Sequence, residues 1–129
     1  MTKLTLIRGL PGSGKTTMAK ALVEADPKLT HFEADQYFTD ASGDYRFEPS
    51  EIEDAHTWCF TEARSVLKEG SSVVVSNTFT RRWEMEPYLK LVTQLGIELE
   101  ILEASGNYKS IHGVPQKTID AMRSRWEKV

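Results

Sequence analysis

Residues 9–16 read Gly-Leu-Pro-Gly-Ser-Gly-Lys-Thr, and this octapeptide constrains the chain more than any other feature. It fits the pattern G-x-x-x-x-G-K-[ST]. The glycines let the backbone wind back on itself, so that successive N–H groups converge on an anion. Such a loop needs a strand before it and a helix after it, because the positive helix N-terminus adds to the same field. Both flanks are present. Lys3 to Arg8 alternates and stops at Gly9, and Lys15 to Ala25 puts Met18, Ala19, Ala21, Leu22 and Ala25 on one face. A chance match over a chain of this length has odds of about 0.5%. A bare glycine-rich turn would also leave the lysine at position 15 unexplained.

Within the loop each residue type has a chemical task. Leu10, Pro11, Gly12, Ser13 and Gly14 wrap phosphate oxygens, and Lys15 reaches the β- and γ-phosphates. The Thr16 hydroxyl is the metal-ligand candidate for Mg²⁺, and Thr17 is a partner for the α-phosphate. The implied cofactors are ATP and Mg²⁺. No N/T-K-x-D guanine motif is present.

The remaining chain repeats the strand–helix alternation, β-α-β-α-β-α-β-α. His31 to Ala34 is a short second strand, and residues 36–49 form an excursion around a Ser42-Gly43-Asp44 turn. Ser50 with Glu53 forms a capping box for a long helix, whose buried face is Ile52, Ala55, Cys59, Ala63, Val66 and Leu67. Residues 72–76 are a β-branched run suited to a strand buried on both faces. A helix over Thr80 to Leu95 tolerates Pro87 near its start, Ile97 to Leu102 alternates as a fourth strand, and Pro115 opens a last helix. Trp58, Trp83 and Trp126 are most simply packing residues. This order implies an α/β fold with a four-stranded parallel sheet and helices on both faces. Ligands in such sheets sit at the carboxyl ends of the strands, here 9–16, 35–38, 77–82 and 103–112.

Length and composition bound the rest. At 129 residues, 40% hydrophobic and 27% charged, the chain reads as one domain over 1–129. A net charge of −3 excludes bulk positive attraction to nucleic acid. The charge is uneven: residues 33–54 carry eight acids against Arg46, while residues 106–129 carry five bases and two acids. Cys59 is the only cysteine, so an internal disulfide is excluded, and no apolar run approaches the roughly 18 residues of a membrane span. The expected location is the cytoplasm.

Gly12-Ser13-Gly14-Lys15-Thr16-Thr17, followed by Asp35-Gln36-Tyr37, resembles the kinase domain of phage-type polynucleotide 5′-hydroxyl kinases. Ser76-Asn77-Thr78-Phe79-Thr80 and His112-Gly113-Val114-Pro115 match a group of small P-loop proteins from phages and animals. The resemblance implies a P-loop NTPase fold over nearly the whole chain, with a lid-like segment at about 105–114. It implies that Asp35 is the general base. In those kinases an arginine after the base grips the acceptor phosphate and an acid follows the third strand; here these positions are Phe38 and Asn77. The paired loss points to a different acceptor contact, and Asn77 leaves no acid after the third strand to face Mg²⁺.

On the residues themselves, a carboxylate at position 35 can accept a proton from a substrate hydroxyl or cap a short turn. Lys109 is the lid cation candidate, with Arg81, Arg82 and Arg46 as further candidates for a cation on the transferring phosphoryl group. Tyr37, Phe38 and Asn77 are the substrate-pocket candidates. Two readings of different class follow. One is a kinase that phosphorylates a hydroxyl, a nucleic acid 5′ end or a nucleoside-type acceptor. The other is a nucleotide-binding switch that acts through a protein partner.

Overall fold

The computed structural model describes residues 2–40, 42–104 and 114–128. The elements run β1 (Lys3–Arg8), α1 (Lys15–Ala25), β2 (Thr30–Phe32), a 3₁₀ turn (Ala34–Phe38), a second 3₁₀ turn (Pro49–Glu51), α2 (Ile52–Lys68), β3 (Val73–Asn77), α3 (Arg82–Leu95), β4 (Glu98–Glu103) and α4 (Gln116–Ser124). Within the sheet all pairings are parallel, and the strand order is β2-β3-β1-β4. The expected four-stranded sheet is therefore present, with β1 and β3 at its centre.

The side-chain period of two sorts the sheet into two cores. Leu4, Leu6, Val73 and Val75 face Cys59, Ala63 and Leu67 of α2 and Met85, Tyr88, Leu91 and Val92 of α3. Ile7 and Val74 face the other way, onto Ala19 of α1 with Met18, Leu22 and Val23 around it. All of β3 is buried, as its β-branched run requires. Edge strand β4 is mostly exposed and carries Glu98, Glu100 and Glu103. Glu100 pairs with Lys3 at 3.0 Å.

Several local expectations are corrected. β2 stops at Phe32, so Glu33 and Ala34 lie outside it. Ser50 does not cap α2; it sits inside the preceding 3₁₀ turn, where its N–H and hydroxyl both donate to the Glu48 carboxylate. α3 begins at Arg82 rather than Thr80. Trp83 is not a packing residue, since it is 70% exposed on the first turn of α3. The Ser42-Gly43-Asp44 turn forms as expected, held by the Asp40 carboxylate, which accepts from Ser42 and from the Asp44 N–H. No described helix is long and apolar enough to cross a membrane.

Arg8, the last residue of β1, is wholly buried. It donates from Nε and Nη2 to the Phe79 carbonyl at 3.1 and 2.7 Å, and from Nη2 to the Glu127 carbonyl at 2.6 Å. Its guanidinium lies 4.1 Å from the centre of the Trp126 ring. Phe79 has a positive φ of 44°, a strained conformation for an aromatic residue, and Arg8 holds its carbonyl. One side chain thus ties the strand before the phosphate loop to the β3–α3 connection and to the segment after α4. Replacing Arg8 by leucine should cost about 3 kcal/mol, because buried carbonyls lose their donors. Urea unfolding of the Arg8→Leu protein checks this, and a loss well under 1 kcal/mol would refute it.

Candidate functional site

The phosphate loop leaves β1 at Gly9, where there is no room for a side chain. A Cβ there would run into the Ser13 Oγ and come within 3.0 Å of the Ala104 carbonyl. Gly12 and Gly14 adopt positive φ values of 81° and 92°, which the winding of the loop requires. Gly14 is the N-cap of α1 and supplies no side-chain cap, so the first N–H groups of the helix stay open to an anion. The Ser13 Oγ is buried without a hydrogen-bond partner, an orphaned polar atom inside the loop. These features fit a polyphosphate.

Lys15 and Thr16 are half-buried at the start of α1, and Thr17 is exposed. Burial lowers the Lys15 pKa below its ordinary value, and the charges of Glu33 and Asp35 pull it back up. A phosphate placed on the ammonium would add to that second effect.

The residue that sequence reasoning missed is Glu33. It follows β2, and its Oε2 accepts from the Thr16 hydroxyl at 3.0 Å and from the Ser76 hydroxyl at 2.9 Å. His31 Nε2 lies 2.6 Å from the Ser76 Oγ and 3.5 Å from the same Glu33 oxygen. Because Ser76 gives its only hydrogen to Glu33, it accepts from His31, which assigns the proton to Nε2. Burial alone would raise the Glu33 pKa. The hydrogen bonds from His31 and Ser76, the charge of His31 and the Thr16 hydrogen bond outweigh it, and the carboxyl sits below its ordinary value. The signal was available: a residue just past a strand's carboxyl end is where ligands are met. Placing the strand end at Ala34 concealed it.

Asp35 lies in the first turn of the 3₁₀ segment, whose N-cap is Glu33, and accepts from the Tyr45 hydroxyl at 3.2 Å. Burial and the Asp35 charge push the Tyr45 phenol up to about 12. Tyr45 therefore stays a neutral donor. Asp35 is close enough to Lys15 to influence its ionisation.

The pocket candidates separate. Tyr37 is exposed, edge-on to Phe38 and tilted against Trp58. Phe38 is buried in a satellite core with Ala34, Ala55 and Tyr45, so its ring is committed to packing. Asn77 is buried too. Its Oδ1 accepts from the Ala34 N–H at 2.8 Å and its Nδ2 faces the Cys59 Sγ of α2 at 3.7 Å. Strand parity explains this: Ser76 looks toward the α1 side, and Asn77 looks toward α2.

The cation candidates are also dispersed. Arg46 is held loosely by Asp40 at 3.8 Å and is 79% exposed. Arg81 precedes α3 and is tied to Glu84 through its backbone, its N–H donating to the Glu84 carboxylate at 3.2 Å and its carbonyl accepting from the Glu84 N–H, and the Arg82 side chain donates to the Lys128 carbonyl at 2.8 Å. Lys109 and His112 fall outside the described residues, as does the lid-like segment except Val114. Among the described residues no group of three or more His, Cys, Asp or Glu gathers to hold a metal. Mg²⁺ takes oxygen ligands and keeps several waters, so the Thr16 hydroxyl fits it if phosphate oxygens and water supply the rest.

The family described as AAA domain matches residues 4–106. The chain is 31% identical over 135 residues to NEDD4-binding protein 2 of Homo sapiens, covering 97% of this chain and 8% of that protein. The chain thus spans under a tenth of the length of that curated relative. Among solved structures, one in the Pnkp1/Rnl/Hen1 RNA repair complex superimposes with a TM-score of 0.74 at 16% identity, covering 96% of this chain and 43% of that one. Chaetomium thermophilum Kti12 in complex with ADP-AlF3 gives 0.71 at 16% identity, covering 97% and 80%. Mycobacterium tuberculosis APS kinase CysC gives 0.61 at 13% identity, covering 96% of each chain. At these identities the likeness is one of fold, a P-loop kinase-like fold.

The Glu33 network has a pH signature. A carboxyl held below its ordinary pKa stabilises the fold above that ordinary value of 4.5 and loses the contribution as pH falls through the folded value. Glu33→Gln should therefore be less stable than the parent near neutrality, and the gap should close in acid. Urea unfolding between about pH 7 and pH 3 reads this. A gap that stays constant would show that the charge of Glu33 is not what the network stabilises.

Proposed function

Because the chain belongs to the AAA domain family matched over residues 4–106, we propose that it is an ATP- and Mg²⁺-dependent phosphotransferase that phosphorylates a hydroxyl. The observation that carries this reading is a carboxylate, Asp35, held by Tyr45 on the same sheet edge as the phosphate-loop lysine. The proposed acceptor is a nucleic acid 5′-hydroxyl. The likeness to the Pnkp1 complex and the Asp35-Gln36-Tyr37 stretch support that choice. A nucleoside-type acceptor is the other outcome of the test.

The chemistry is a displacement at phosphorus. The loop N–H groups and Lys15 bind the β- and γ-phosphates and take up the charge that spreads over them. Asp35 accepts the proton of the acceptor hydroxyl and orients its oxygen in line. A new bond forms from that oxygen to the γ-phosphorus, and the bond from the γ-phosphorus to the bridging oxygen breaks. The electron pair leaves with ADP. Mg²⁺, held by Thr16 with phosphate oxygens, supplies neutralising charge when bound. Tyr45 keeps Asp35 turned to the site, and its raised pKa keeps it from competing as a base.

A specific observation favours a second reading. The position at which the resembled kinases grip acceptor phosphate is a buried phenylalanine, Phe38. A nucleotide-binding switch that hydrolyses ATP slowly and acts on a protein partner needs no such grip.

The test is transfer from γ-labelled ATP with Mg²⁺ to 5′-hydroxyl DNA and RNA oligonucleotides and to a nucleoside panel. Asp35→Asn should slow transfer by about 10² to 10⁴ while ADP binding changes little. Lys15→Ala should lose both transfer and tight binding. Label on nucleosides alone would move the acceptor to small molecules. Slow hydrolysis with no labelled acceptor, unchanged in Asp35→Asn, would support the switch and refute the kinase.

A further inference from the structure

β3 carries no acid, and its last residue, Asn77, faces Cys59 of α2, so the Thr16 hydroxyl must be oriented from elsewhere. A threonine hydroxyl has one hydrogen and two lone pairs. Here the hydrogen is committed to the Glu33 Oε2 at 3.0 Å, so the lone pairs point away from that carboxylate. Only in that orientation can the oxygen face a cation.

Glu33 is itself fixed. Ser76 donates to it at 2.9 Å, and His31 holds Ser76 at 2.6 Å. Register places this bracing. Phe32 pairs with Val75, so the next residue on each chain, Glu33 and Ser76, meet just beyond β2. Ile7 pairs with Ser76 on the other side, which brings the same position beside the end of the phosphate-loop strand. The carboxylate side chain is 14% exposed, which keeps its field strong.

We propose that Glu33 is the positioning residue of the Mg²⁺ site: it takes the hydrogen of Thr16 and turns the hydroxyl oxygen toward the metal, a task that an acid just after β2 performs here in place of one after β3. The metal's remaining positions go to phosphate oxygens and water, and a water on the metal can hydrogen-bond to the same carboxylate. Asp35 is left for the acceptor hydroxyl, so the two carboxylates divide the work. The inference rests on the nucleotide reading of the site but not on phosphoryl transfer.

The test measures binding, without turnover. ADP affinity is determined by calorimetry with Mg²⁺ and again with EDTA, for the full chain and its variants. The Mg²⁺ gain is the ratio of the two dissociation constants. Mn²⁺ binding to the ADP complex, followed by electron paramagnetic resonance, gives metal affinity directly. Glu33→Gln should lower metal affinity by about 10- to 100-fold, the usual cost of losing a ligand-orienting partner. Affinity for metal-free ADP should hold or rise, since a negative charge near the phosphates is gone. Glu33→Asp, which keeps the charge one methylene further back, should show a smaller loss of the same sign, and it serves if Glu33→Gln unfolds. Asp35→Asn should keep the Mg²⁺ gain.

A folded Glu33 variant with an unchanged Mg²⁺ gain overturns the proposal. So does a loss that appears in Asp35→Asn instead, or a parent protein that binds ADP no tighter with Mg²⁺ than with EDTA. Failure of the transfer assay alone, with the Mg²⁺ gain intact and Glu33-dependent, would refute the kinase reading and leave this assignment standing.

Discussion

The parallel register of β2, β3 and β1 is the constraint on which the site depends. Ile7 opposite Ser76, Arg8 opposite Asn77 and Phe32 opposite Val75 align three strand ends at one edge. A slip of one residue would invert which side chains face α1 and which face α2. Val74 and Val75 are both wholly buried, on opposite faces, so such a slip would move each into the other's core. Packing therefore fixes register, and register fixes which polar residues meet.

Two buried polar assemblies grow out of that alignment. On the α1 side, His31, Ser76, Glu33 and Thr16 form one hydrogen-bonded chain across β2, β3 and the phosphate loop. On the opposite face, Arg8 joins β1 to Phe79 and to the segment after α4. Each assembly anchors a turn that no regular ladder supports. Buried groups of this kind are stable only when paired, so each also selects one geometry for its loop. The excursion between the second strand and α2 is anchored differently, by rings. Phe38 packs edge-on to Tyr45 and Phe47, and this apolar floor carries the Tyr45 hydroxyl to Asp35.

Much of this was legible in the sequence, for reasons that can be named. The loop between β1 and α1 was legible because its winding requires glycines with positive φ at fixed spacing. α1 and the β-branched β3 were legible because period and composition agree there. Glu33 was not, because its role depends on a neighbour 43 residues away, the Ser76 hydroxyl. The motif sets Asn77 where the resembled kinases carry an acid, but strand parity turns it to Cys59 of α2. Ser50 matches a capping box by spacing, but the chain enters α2 through a 3₁₀ turn that Glu48 caps, and α2 itself has no side-chain cap.

The sequence by itself determined the element order, the parallel sheet and the glycine-wound loop between β1 and α1. These follow from local rules: hydrophobic period, turn chemistry and the backbone freedom of glycine. Tertiary structure decided which carboxylate meets Thr16, which aromatic rings are exposed and where the buried arginine finds its acceptors. Those outcomes depend on strand order and register, which bring together residues distant in the chain. No local pattern encodes them, because the energy that selects them is packing across the whole sheet.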